Sequence, residues 1–297
     1  MKSVKVYHYD SFSTEANKGN PAGVVLTGEE LTTEEMQEIA LKVGFNETTF
    51  VINSDRADVG LRFFTPGHEM TLCGHGTVAT LYALQTTGVL TKTEVTVETK
   101  AGVLPITIGQ LNDQVAIKMT QATPEFVAFN GNQAELAHVM GITPDEIDEN
   151  LPIVYGSTGT WTLLVPIKKL TTFEQMKPVN AQFPEVLQEM PNVSIHPFCF
   201  ETYDATADMH GRHFSSPLSG TVEDPVTGTA SGVMGAYVAK YIHENQQQHL
   251  QLTIEQGQEI KRNGRVKVTV SVEQEQMHIA ITGTAVYVQA FDIVLGK

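Results

Sequence analysis

Cysteine is nearly absent. Two thiols, Cys73 and Cys199, in 297 residues cannot build a disulfide framework, which points to a reduced, cytoplasmic setting. Cationic residues are also scarce: Lys and Arg number 19 against 34 Asp and Glu, a net charge of −15 at pH 7. A surface that negative repels phosphate backbones and anionic lipid, so neither nucleic acid nor a membrane is an expected partner. The apolar runs fall short of the roughly 18 residues needed to span a bilayer, and the opening from Met1 to Val6 lacks the apolar stretch of a signal peptide. There is no Gly-x-x-x-x-Gly-Lys loop, His-Glu-x-x-His, paired Cys-x-x-Cys or Gly-x-Ser-x-Gly elbow, so nucleotide hydrolysis, zinc chemistry and acyl transfer lose their usual markers. Gly74-His75-Gly76 lacks the third glycine of a dinucleotide fingerprint and comes too late in the chain for one. What remains is a globular balance, 41% hydrophobic and 18% charged, in a chain long enough for two domains of about 150 residues.

Local signals predict a strand over Val4 to Asp10 and another at Val24 to Leu26, beyond the turn-like Gly19-Asn20-Pro21. Thr32-Thr33-Glu34-Glu35 fits a capping box. Met36, Ile39, Ala40 and Val43 then recur at helical spacing until Gly44. Strands follow at Thr48 to Ile52 and Leu61 to Phe64. After Cys73-Gly74-His75-Gly76 comes a helix apolar on nearly every side, which other structure must wrap, and the turn-joined strands Glu94 to Glu98 and Val103 to Ile108 are the economical wrapping.

The second half repeats this order of parts. Gly74 opens a small-residue turn before a buried helix and a strand pair, and Gly228 does the same before Ala230 to Tyr241. Gly74 and Gly228 are separated by the same offset as Asn46-Glu47-Thr48 and Phe200-Glu201-Thr202, and Leu31-Thr32-Thr33 matches Leu170-Thr171-Thr172. The expectation is an α+β fold of two pseudo-symmetric lobes, each a curved, mostly antiparallel sheet around a central helix. The lobes are residues 1–120 and 121–297, with the last strand free to cross back to the first.

Chemistry concentrates at the two turns. Cys73-Gly74-His75-Gly76-Thr77 and Thr227-Gly228-Thr229-Ala230-Ser231 each open a helix, where unpaired N–H groups and the helix dipole favour an anion such as a small carboxylate. The alternative is that these glycines only let helix and strand pack closely. Glu47 stands where local patterning does not favour a carboxylate, either as a buried general acid/base or as a strand-edge residue in water. His75 can donate to a substrate or serve the turn alone. Asp224 can orient an amine or hydroxyl, or cap its turn. Cys73 at a helix start could be a thiolate nucleophile. His68, Cys73 and His75 look like metal ligands but lack the partners for a closed tetrahedral site, so no metal is expected.

The runs Gly19-Asn20-Pro21-Ala22-Gly23, Asn46-Glu47-Thr48, Leu61-Arg62-Phe63-Phe64-Thr65-Pro66, Leu72-Cys73-Gly74-His75-Gly76-Thr77 and Glu223-Asp224-Pro225-Val226-Thr227-Gly228-Thr229-Ala230 appear in order along nearly the whole chain. In them the sequence resembles the phenazine biosynthesis PhzF-like family. The resemblance implies the diaminopimelate-epimerase-like fold, with the site in the cleft between two lobes. It further implies a cofactor-free, metal-free isomerase in which a glutamate, here Glu47, moves a proton on 2,3-dihydro-3-hydroxyanthranilate. His75 and Asp224 join Glu47 as catalytic residues by this resemblance, and Asn20, Cys73, Gly74, Gly76, Gly228 and Thr229 line the substrate. Serine is common at the Thr229 position; threonine keeps the hydroxyl and adds a methyl.

Cousin epimerases and racemases on this fold place one cysteine in each glycine turn. Here Cys73 stands at the first, and Gly228 or Thr229 at the second, so a two-thiol mechanism lacks half its machinery. The leading expectation is therefore an isomerase acting on a small carboxylate through Glu47. The alternatives are an amino-acid epimerase or racemase using Glu47 and Cys73, and a small-molecule binding protein without turnover. The resemblance also suggests a homodimer.

Overall fold

A computed structural model describes residues 2–243, 249–274 and 276–296. The chain forms two compact units, Met1–Met119 together with Thr282–Lys297, and Thr120–Ile281. The first begins with β1 (Ser3–Ser11), β2 (Asn20–Val25), α1 (Thr33–Val43), β3 (Glu47–Ile52) and β4 (Val59–Phe64). It continues through β5 (Glu69–Met70), α2 (Gly74–Thr86), β6 (Glu94–Thr99), β7 (Gly102–Leu111) and β8 (Gln114–Thr120). The second holds β9 (Glu125–Ala128), α3 (Gln133–Met140), β10 (Val154–Ser157), β11 (Trp161–Pro166), α4 (Phe183–Val186) and β12 (Ser194–Cys199). After them come β13 (Met209–Gly211), β14 (His213–Phe214), β15 (Glu223–Asp224), α5 (Gly228–Tyr237), β16 (His249–Gln256), β17 (Gly264–Glu273) and β18 (Gln276–Gly283). The last strand, β19 (Ala285–Val294), pairs antiparallel with β1 from Ser3↔Val294 to Ser11↔Ala285. Residues 282–297 thus join the first unit, covering an edge of β1 that would otherwise expose unpaired N–H and C=O groups.

Helix α1 starts where its capping box requires. The Thr32 hydroxyl accepts from Glu35 N at 3.2 Å, the Glu35 carboxylate accepts from Thr32 N at 2.9 Å, and Gly44 ends the helix in the left-handed region at φ 71°. Its inner face, Met36, Ile39 and Ala40, joins a core with Val4, Val6, Val25, Phe50 and Phe64. Each of these side chains larger than alanine contributes about 1.5–3 kcal/mol by leaving water. Helix α2 is buried along most of its length and packs on β1, β2, β3 and β19. Helix α5 is buried likewise against β10, β16 and β17. A Cβ on Gly235 would meet Val268 Cγ1 at 2.5 Å, so glycine is what lets α5 lie this close to β17. Among the described residues, no helix is long and apolar enough to cross a membrane.

The two units share one strand plan. β1–β2 and β10–β11 are antiparallel, β2–β3 and β11–β12 parallel, and β3–β4 and β12–β14 antiparallel. The parallel pairs β4–β6 and β13–β16, and the antiparallel pairs β6–β7 and β16–β17, complete the correspondence. This plan corrects one sequence match. Glu47 opens β3 opposite Ala22, and the equivalent residue opening β12 opposite Thr162 is Ser194. Glu201 lies beyond the end of β12, so its likeness to Glu47 is coincidental. The segments beginning Leu31 and Leu170 do hold equivalent places, each in the crossover between the parallel strands.

Candidate active site

Strand β3 runs parallel to β2 with α1 as its crossover, and α2 packs on both strands. A Cβ on Gly76 would meet Thr49 Oγ1 at 2.5 Å, so only glycine allows the first turn of α2 to seat against β3. Cys73 is the N-cap in extended conformation, and its sulfur accepts from Gly76 N at 3.3 Å. A side chain at Gly74 would meet nothing within 4 Å, which leaves the start of α2 open to an approaching ligand.

This seating brings three predicted residues together. Glu47 Oε2 lies 3.0 Å from His75 Nε2, with the two side chains only 15% and 10% exposed. The Cys73 sulfur lies 3.5 Å from His75 Nδ1 and 3.8 Å from Nε2. Glu47 Oε2 is buried, and among the described residues it has no hydrogen-bond partner other than the contact with His75. Burial pushes the Cys73 thiol up against the pull of His75. Burial opposes the charged form of His75 too, but the facing Cys73 sulfur and Glu47 carboxylate outweigh it and hold the imidazole well above its ordinary value. One donor atom from each of Glu47, Cys73 and His75 fits within 4.8 Å of the others. His68, grouped with Cys73 and His75 in the sequence, sits instead in an exposed turn with Thr65, its Nδ1 3.2 Å from that hydroxyl.

The supporting contacts are ones the sequence did not flag. The fully buried Ser11 donates to the His75 carbonyl at 2.7 Å, and the next residue, Phe12, is held at φ 63°, a strained conformation for an aromatic residue. A Cβ on Gly283 would strike the Phe12 ring at 2.3 Å, so β18 ends in glycine where that ring must pass. Asn20 is fully buried and pairs with Ser11 across β1 and β2.

The second unit carries Asp224, Gly228 and Thr229. Asp224 ends β15, and its Oδ2 accepts from the Thr227 hydroxyl at 2.5 Å. Thr227, the N-cap of α5, therefore turns its side chain toward Asp224 instead of capping the helix. The buried Gln256 ties this turn from both sides, donating to Asp224 O at 2.7 Å and accepting from Thr227 N at 3.1 Å. Gly228 is buried, and half-buried Thr229 accepts at its carbonyl from Thr158 Oγ1 at 3.1 Å.

A second device appears in both units. Arg62 grips Glu69 with a two-pronged fork at 2.7 and 2.8 Å, its guanidinium 5.1 Å from the Phe64 ring centre. Arg212 grips Glu223 at 2.9 and 2.6 Å, 4.9 Å from Phe214. Each fork pins the short strand that leads into a helix-start turn, and Glu223 immediately precedes Asp224. The signal was present as Arg-x-Phe in both halves, with a glutamate further on.

Comparison with known proteins agrees with this architecture. The sequence profile described as phenazine biosynthesis-like protein, PhzC-PhzF, matches residues 9–290. The chain is 51% identical over 288 residues to the uncharacterized isomerase YfhB of Bacillus subtilis, covering 97% of each. It is 30% identical over 261 residues to the trans-2,3-dihydro-3-hydroxyanthranilate isomerase of Pseudomonas aeruginosa, covering 86% of this chain and 87% of that one. The crystal structure of a PhzF-family phenazine biosynthesis protein from Bacillus anthracis superposes with a TM-score of 0.97 at 56% identity, covering 99% of this chain and all of that one. A probable proline racemase from Agrobacterium radiobacter shares the fold alone, with a TM-score of 0.65 at 12% identity over 99% and 93% of the two chains. The chain thus has the fold of the PhzF and racemase class of proteins. It belongs to the phenazine biosynthesis-like PhzC-PhzF family and is an isomerase.

Proposed function

We propose that this isomerase moves a proton between carbons of a small carboxylate-bearing substrate of the dihydro-hydroxyanthranilate kind, with Glu47 as the proton carrier. The observation that carries the reading is the buried Glu47 carboxylate oxygen Oε2, 3.0 Å from His75 and with no other hydrogen-bond partner among the described residues. A carboxylate so placed has a free lone pair for a C–H proton and can return that proton to a neighbouring carbon on the same face. The His75 ring beside it stabilises the carboxylate, and the open N–H groups at the start of α2 suit the negative charge that grows on the substrate as the proton leaves. Asp224 and Thr229 orient the substrate's amine or hydroxyl in this reading. The name of the Pseudomonas aeruginosa relative supports the substrate class.

Proton NMR in D₂O with dihydro-hydroxyanthranilate and a panel of amino and hydroxy acids tests it. Deuterium enters the substrate with the wild type, and exchange falls by about 10²–10⁴-fold in Glu47→Gln. Exchange that survives in Glu47→Gln removes the carboxylate from the mechanism. The Cys73 sulfur at 3.5 Å from His75 favours one second reading, an epimerase in which Glu47 and Cys73 are the opposed pair. Inversion at a single carbon, lost in Cys73→Ser, distinguishes it.

A further inference from the structure

We propose that Glu47, Cys73 and His75 together form an inhibitory site for a thiophilic divalent cation of the zinc class. A thiol, an imidazole and a carboxylate are the donors such ions take, with a fourth position open. The spacing suits one ion. His75 Nε2 is 3.0 Å from Glu47 Oε2 and 3.8 Å from the Cys73 sulfur, and one donor atom from each of the three residues lies within 4.8 Å of the others. Tetrahedral zinc, with bonds of about 2.0–2.3 Å, separates its ligands by about 3.3–3.6 Å. The two edges at His75 bracket that range, and modest side-chain rotation brings the sulfur and the carboxylate together.

Three further features support the site. Among the described residues Glu47 Oε2 has no hydrogen-bond partner but His75, so coordination replaces that single contact and strips no other group. Cys73 is held by the Gly76 amide and the His75 backbone by Ser11, so two ligands are fixed in advance. The negative charge of a thiolate and a carboxylate outweighs the positive end of α2. On binding, the Cys73 S–H and His75 Nε2–H protons leave to solvent as sulfur and nitrogen each donate a lone pair to the ion, and no oxidant or reductant takes part.

The ion occupies the lone pair that proton transfer through Glu47 requires, so it stops turnover. That consequence rests on the reading under Proposed function, whereas binding does not.

The test is a titration of the purified full chain with Co²⁺, followed by competition with Zn²⁺. We expect one equivalent of Co²⁺ to give a thiolate-to-cobalt charge-transfer band and the intense visible bands of a four-coordinate ion, both removed by Zn²⁺. Cys73→Ser loses the charge-transfer band and weakens Zn²⁺ binding by about a hundredfold or more, Glu47→Gln weakens it by about tenfold or more, and Cys199→Ala changes neither. A band that persists in Cys73→Ser, or Zn²⁺ affinity unchanged in both Cys73→Ser and Glu47→Gln, overturns the site. Should Cys73→Ser fail to fold by circular dichroism, Zn²⁺ protection of Cys73 from alkylation in the Cys199→Ala protein decides, and absence of protection overturns the site. Deuterium exchange that continues unchanged under saturating Zn²⁺, with the cobalt band present, overturns the inhibitory half. A wild type that exchanges no substrate proton even without metal sinks the proton-transfer reading, and the spectroscopic result still decides binding.

Discussion

The two units share one strand plan and differ in the residues placed at their helix starts. In the first, the helix start is capped by Cys73 and faced by Glu47 and His75. In the second, Thr227, Asp224 and Gln256 bond to one another, and the residue equivalent to Glu47 is Ser194. Behind the helix starts, Thr49 pairs with Phe63 in the first unit, while the same positions in the second are His196 and His213, their Nδ1 atoms 3.1 Å apart. What both units keep is the Arg–Glu fork and the strand plan that aims a helix N-terminus. Both units keep the frame that presents a helix start, and the carboxylate proposed to carry the proton stands in the first.

The largest expected effect breaks the chemical asymmetry directly. We expect Glu47→Gln to lower deuterium exchange by about 10²–10⁴-fold with the fold intact by circular dichroism, and Asp224→Asn to raise KM more than it lowers kcat, as for an orienting group. A steady-state comparison of the two variants checks this, and equal losses of kcat would make the units chemically equivalent.

The forks come next. Arg212 and Glu223 are 6% and 8% exposed, and the same guanidinium also donates to the carbonyls of Phe173 and Met176. Arg212→Met leaves Glu223 buried and unpaired, at a cost of about 3–5 kcal/mol in urea unfolding. Arg62→Met costs clearly less, because Arg62 is 21% exposed and Lys100 remains 2.6 Å from Glu69. Gly76→Ala drives a methyl into Thr49 Oγ1 and destabilises by about 1–3 kcal/mol, although the equivalent residue of the second unit is already Ala230. Gly74→Ala leaves thermal stability within about 0.5 kcal/mol, because its Cβ enters open space. Its loss of activity then reports on ligand access to α2 alone.

The last contrast is in pH. Burial, aided by the neighbouring His213 and His210, pushes His196 well below the ordinary histidine value, and burial also lowers His213 against the pull of Asp224. Below about pH 6.5 the unfolded chain takes up these protons and the folded one does not. Stability therefore falls as pH drops through 6.5. His210 has the opposite sign: burial would lower it, but Glu255 and Glu259 raise it, so its contribution is present at low pH and lost as pH rises. His213→Phe, which copies Phe63, should reduce the acid slope by at most about 1.4 kcal/mol per pH unit. Urea midpoints of wild type and variant between pH 5 and 7 check the sign.

Much of this was legible in the residues. The capping box at Thr32, the stop at Gly44 and the apolar helices after Cys73 and Thr227 are local signals, readable because caps and periodicity act within a few residues. The repeat was legible in outline at Gly74 and Gly228 but misaligned at Glu201, because a two-residue match carries no information about strand register. Ser11 and Gln256 were missed because each acts on a residue remote in sequence and has no pattern of its own, and the forks because a recurring Arg-x-Phe does not say which glutamate the arginine grips.

By itself, then, the sequence determined most elements of the first unit, the two glycine turns that open the buried helices and the motifs that mark the family, all properties of short-range backbone chemistry. Only the tertiary structure decided that Glu47 faces His75 and Cys73, that β19 completes the first unit, and that Ser194 stands in the place of Glu47 in the second. Those outcomes depend on strand pairing and on the close seating of Gly76 against Thr49, contacts between segments far apart in the chain that no local pattern encodes.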